Sequence, residues 1–131
     1  MKPALVVVAI AVVLAAVTVG VDQLSDLTQT RADHVDESLA SEVVFDIRTQ
    51  AYDGTIVEAA EAQWAVCAGT IGGEVRDPGL EHIDDQRFRV TVFPAVGTNG
   101  ERRLIGCLDD AAVDRVLSSF VSIEDIPAHA G

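Results

Sequence analysis

The sequence predicts an α+β domain carried behind an N-terminal transmembrane helix, and three observations predict it. Residues 4–21 form an uncharged run of Ala, Val, Leu and Ile interrupted only by Thr18 and Gly20. Two alternations of period two, Val43, Phe45, Ile47 and then Phe88, Val90, Val92, mark half-buried strands. Ile56, Ala60, Trp64, Cys67 and then Val113, Val116, Leu117, Phe120 recur at helical spacing.

As a helix rising 1.5 Å per residue, residues 4–21 extend roughly 27 Å, close to the hydrocarbon thickness of a bilayer. A cleaved secretory signal is the rival reading. Lys2 supplies its basic start, but the apolar core exceeds the roughly 7 to 15 residues usual there, and Thr18-Val19-Gly20 fits an A-x-A cleavage site poorly. Lys2 precedes the run, while Asp22, Asp26, Asp33, Asp36 and Glu37 follow it. Cations favour the cytoplasmic side, so the rest of the chain is expected outside the cytoplasm, either tethered to the cell membrane or, if the signal is cleaved, secreted. Residues 22–42 are acidic and free of Pro and Gly. Sparse apolar points at Leu24, Leu27, Val35 and Leu39 suit a helical stalk, with a disordered linker as the alternative.

The folded domain is expected over residues 43–126. Its first strand covers residues 43–50, and Tyr52-Asp53-Gly54 turns the chain. Thr55-x-x-Glu58 is a capping box opening the first helix, which Gly69, Gly72 and Gly73 close. Residues 70–86, punctuated by Gly72, Gly73, Pro78 and Gly79, read mostly as loop, with room for a short strand around residues 74–76. The second strand ends near Pro94, which has no amide to donate to a ladder. Gly97-Thr98-Asn99-Gly100 then reads as a hairpin turn, with residues 102–108 returning as a third strand. Asp109 or Asp110 caps a second helix, residues 121–126 form a fourth strand, and residues 127–131 are a tail. This βαββαβ order is that of a small ferredoxin-like sandwich, two helices covering one face of a sheet.

In that arrangement Cys67 and Cys107 reach the same end of the layer. A disulfide there closes a loop of about 40 residues, worth roughly 4 kcal/mol in the chain-entropy account. An oxidising location and an even cysteine count favour it; two buried free thiols are the alternative. One conflict remains. If Cys107 and Ile105 face the helices, Leu104 and Leu108 face away from the core.

The chain has 131 residues and a net charge of −12, with 21 acids against 9 bases. Such a balance excludes nucleic acid and anionic membrane surfaces as principal partners, since both require a basic footprint. Arg48, Arg87, Arg89 and possible neighbour Arg102 are expected on the open sheet face, a candidate docking surface for an envelope protein or polyanion. The competing reading is a set of cross-strand salt pairs with Asp46 and Glu124. Asp77, Glu81, Asp84 and Asp85 are weak candidates for a small-ligand or hard-cation site, though they lack the EF-hand pattern. Cys67, Cys107 and His82 contain no close-spaced zinc-ligand pair. His34, His82 and His129 stand singly, Ser118 and Ser119 lie outside any nucleophile elbow, and no glycine-rich phosphate loop is present. The reading is therefore an interaction domain rather than an enzyme, with no cofactor, no catalytic residue and no assigned oligomeric state.

Three stretches carry a resemblance: Ala-Glu-Ala-Gln-Trp-Ala-Val-Cys at 60–67, Phe-Pro-Ala-Val-Gly at 93–97, and Arg-Arg-Leu-Ile-Gly-Cys-Leu-Asp-Asp at 102–110. Over residues 43–123 the chain resembles a group of short, uncharacterised membrane-anchored envelope proteins of actinobacterial type. The resemblance implies no activity. It pairs a Trp-x-x-Cys helix end with a Gly-Cys-Leu strand end, in agreement with the disulfide.

Overall fold

The computed structural model describes residues 33–129 together with Val8, Ile10, Val12 and Val13. It divides into two units, residues 1–32 and 33–131. In the first, the four described residues are helical and exposed; the rest of the expected anchor, and the stalk up to residue 32, lie outside the described residues. Among the described residues, no helix is long and apolar enough to cross a membrane.

The second unit is an α+β fold built around one central strand. β1 (Leu39–Thr49) begins four residues earlier than its alternation suggests, because Ala40 and Ser41 are buried and continue the ladder. Residues 39–42 therefore belong to the sheet, and residues 33–38 are irregular or turn rather than helical stalk. Thr55 Oγ1 accepts from the Glu58 amide at 3.2 Å and a Glu58 carboxylate oxygen accepts from the Thr55 amide at 2.7 Å, so the capping box opens α1 (Ile56–Ala68). Ala59, Ala60, Gln63, Trp64 and Cys67 form its buried face, and Gly69 is its C-cap. Two short strands, β2 (Glu74–Val75) and β3 (Glu81–Asp84), organise the segment expected as mostly loop; both pair with the outer side of β4 (Arg87–Phe93). Gly73 enters β2 with φ of 109°, and an added Cβ there would press to 3.0 Å from the Phe93 carbonyl oxygen.

Beyond Pro94 the structure departs from expectation. Residues 98–110 form a helix, α2 (Thr98–Asp110), not the return arm of a hairpin. Buried Gly100, Leu104 and Leu108 fall at i, i+4 and i+8, one face of a helix, which removes the conflict over Leu104 and Leu108. The Gly97-Thr98-Asn99-Gly100 segment opens this helix. Gly97 has no side chain to cap it, and Asp33 serves instead: its carboxylate accepts from the amides of Asn99 at 2.9 Å and Gly100 at 2.6 Å. An added Cβ at Gly97 would run into the Asp33 side chain. A cap supplied from 66 residues away leaves no local signature, so the glycines read as a turn. Asp33→Ala is expected to cost about 0.5 to 2 kcal/mol, the usual penalty for losing an N-cap; urea unfolding showing a loss below a few tenths would contradict the capping role.

The second expected helix is also absent. Asp109 lies in the last turn of α2 and accepts from the Phe120 amide at 2.8 Å. A hairpin follows, β5 (Ala112–Val113) and β6 (Val116–Pro127), joined at Asp114 and Arg115 with φ of 43° and 66°. Two consecutive positive φ values belong to a type I′ loop. The expected fourth strand is the second half of β6.

The strand order is β2-β4-β1-β6-β5 with β3 beside β4, and every pairing is antiparallel. A split βαβ requires parallel strands joined by a crossover helix. Here both neighbours of β1 run against it, so the ferredoxin-like topology is replaced by an antiparallel sheet with α1 and α2 on one face. In the core Phe45 stacks on Trp64 at 5.8 Å and on Phe88 at 6.2 Å, and exposed His82 stacks on Phe88 at 4.6 Å. Cys67 and Cys107 form a disulfide between α1 and α2, with their Cα atoms 5.5 Å apart.

Candidate docking face

The face of the sheet away from the helices is where charge collects. Because Val43, Phe45 and Ile47 point into the core, Glu42, Val44, Asp46 and Arg48 point the other way. β4 adds Arg87, Arg89, Thr91 and Phe93 by the same alternation. Arg87 and Asp46 are directly opposite in the β1–β4 register, and the guanidinium meets both carboxylate oxygens, at 2.7 and 3.0 Å. That hydrogen bond holds Asp46 below the usual carboxylate range and raises Arg87; Arg48 adds a weaker pull on Asp46. Arg89 donates to Glu81 at 3.0 Å and lies 3.9 Å from Glu42; the Glu81 bond raises its pKa.

The face is thus alternately charged rather than basic. Asp46 takes the pairing role expected of it. Glu124 does not: it stands directly across from Glu42 on β6. Arg102 is not on this face, since residues 102–108 are helical and place it, exposed, in the helical layer. Arg48 remains on the open face and exposed. Pairs this open to solvent are screened and add little to stability, so they order the surface more than they stabilise the fold.

A groove of about 540 Å³ crosses the face. Glu42, Glu81, Arg89 and Thr91 line its floor, residues 76–78 form one wall and residues 126–128 the other. Arg76 fixes the first wall. Its guanidinium lies 4.1 Å over the Phe93 ring and donates to the Ala128 carbonyl at 2.5 Å, joining the β2–β3 connection to the end of β6. Nothing in the sequence pointed to Arg76, because its partner lies 52 residues away in a segment expected to be a tail.

The loop carboxylates do not assemble into one site. Asp77 lines the groove, Glu81 is held by Arg89, and Asp84 accepts from the Asp85 amide at 2.8 Å. Among the described residues, no group of three or more His, Cys, Asp or Glu side chains is arranged to hold a metal. The zinc trio is dispersed as well, with both cysteines in the disulfide and His82 stacked on Phe88. Comparison with known proteins returns no matching family model, no matching curated protein and no matching solved structure.

Proposed function

We propose that the domain is a non-enzymatic docking module, held outside the cytoplasm by residues 4–21, that binds another protein of the cell envelope. The observation that carries this reading is the groove on the open sheet face. It offers carboxylates at Glu42 and Glu81, a guanidinium at Arg89 and apolar contact at Pro78 and Ile126, the mixed chemistry of a polypeptide surface. A polyanion fits less well, because Arg87 and Arg89 already face carboxylates of the same chain. The disulfide supports the location, since such bonds persist in oxidising compartments.

A photo-crosslinking side chain introduced at Thr91, on the groove floor, and separately at Val57, exposed on α1, tests the reading in intact membranes of the native host. The expected result is a discrete protein adduct from position 91 only. Equal labelling from both positions, or none from position 91, would overturn it. Mature protein beginning near Val21 and recovered from the medium would replace the tether with a secreted module.

A further inference from the structure

β6 runs for 12 residues along β1, and among the described residues its other side pairs with a strand only where β5 meets Val116 and Leu117. The next stretch is closed by α2, whose Leu108 carbonyl accepts from the Ser118 hydroxyl and whose Asp109 carboxylate accepts from the Phe120 amide. From residue 121 to residue 126 no strand of the described residues lies alongside. The direction of the backbone groups follows from the ladder. Ala128 N–H donates to the Ser38 carbonyl, and hydrogen-bonded pairs alternate in an antiparallel sheet, so Ser122, Glu124 and Ile126 face β1 while Ile123 and Asp125 turn their N–H and C=O groups outward. Among the described residues no hydrogen bond reaches those outward groups. Pro127 takes the next outward position, where a nitrogen without hydrogen leaves no donor unmet.

We propose that this edge is a strand-addition site for an extended, basic segment of another polypeptide. Main-chain hydrogen bonds to Ile123 and Asp125 supply the affinity, as in other cases of strand addition. The charge requirement comes from Glu124. It lies directly opposite Glu42 in the register, an unfavourable like-charge pair. Arg89, 3.9 Å from Glu42, is the nearby cation on that side, and among the described residues no base lies within ion-pair distance of Glu124. An added strand places one of its own side chains beside Glu124 on the open face, and Lys or Arg there supplies the cation that Glu124 lacks among the described residues. A second copy of this chain is the poorer occupant, since it brings its own Glu124 and a net charge of −12 to the contact. Ile123, Glu124 and Asp125 lie outside the groove lining, so a partner can occupy either site without the other.

The test uses the full chain in detergent micelles, amide hydrogen exchange followed by NMR, and three probes: acetyl-(Lys-Val)3-amide, acetyl-(Glu-Val)3-amide, and the basic peptide N-methylated on alternate residues to block its pairing edge. The basic peptide is expected to slow exchange at Ile123 and Asp125 by about tenfold or more, and E124Q is expected to weaken its binding roughly three- to tenfold. The acidic and N-methylated peptides are expected to leave both amides unprotected. Equal protection by the acidic or N-methylated peptide overturns the proposal, as does absence of protection with the basic one. Protection without peptide that grows with protein concentration also overturns it, by assigning the edge to a second copy.

Discussion

Replacing Cys67 and Cys107 together by alanine is expected to lower the unfolding free energy by about 4 kcal/mol, the chain-entropy value for a loop closed over this separation. The bond joins residues 40 apart in sequence and ties α1 to α2. Without it the unfolded chain regains the freedom of that loop, while the folded state keeps the remaining contacts of α2 with the sheet through Leu104 and Leu108. Small domains have total stabilities of about 5 to 15 kcal/mol, so the loss is a large share, equivalent to a fall in Tm of roughly 15 to 30 °C. Urea unfolding of the oxidised wild type against the double variant measures it. A difference under about 1 kcal/mol would show that the bond does little to restrain the unfolded chain.

Phe45→Ala is expected to cost about 3 to 5 kcal/mol, the range for deleting a buried aromatic ring. Phe45 is fully buried at the centre of β1 and its ring lies between Trp64 of α1 and Phe88 of β4. Removing it opens a cavity where sheet and helix meet, and no neighbour fills it without leaving its own contacts. Phe45→Leu retains much of the volume and is expected to cost clearly less. The chain has one tryptophan, so fluorescence and near-ultraviolet dichroism of Trp64 report this contact directly. An unchanged Trp64 signal in folded Phe45→Ala would contradict the stacking.

The first half of the domain was legible because its signals are local. The alternation of Val43, Phe45 and Ile47, the Thr55–Glu58 box, the Trp64–Cys67 face and the alternation of Phe88, Val90 and Val92 each depend on residues within one element. The disulfide was legible too, although its expected geometry was wrong: Cys107 lies on a helix rather than a strand, and both versions bring it to Cys67. The second half misled for the opposite reason. Leu104 and Leu108 carry the helical period of α2, yet the two glycines and Asn99 before them imitate a hairpin turn when the Asp33 cap is unseen. In β6, a buried serine at Ser118 and a bulge that leaves Val121 without a partner on β1 break the alternation, and the turn before it uses Asp114 and Arg115 in place of Asn-Gly. Of the arginine face, Arg48, Arg87 and Arg89 were placed correctly by strand alternation; Arg102 followed the misread helix.

By itself the sequence determined the α+β class, the central strand, the capped first helix, the pairing of the two cysteines and the excess of negative charge. Each follows from periodicity, side-chain chemistry within one turn, or a simple count. Only the tertiary structure decided that α2 is a helix, that the sheet is wholly antiparallel, that Arg76 joins the walls of a groove and that, among the described residues, no strand pairs with the outer side of the end of β6. Those outcomes rest on contacts between residues far apart in the chain, such as Asp33 with Gly100 and Arg76 with Ala128. The free energy of such contacts appears only once the chain has closed the loops between them.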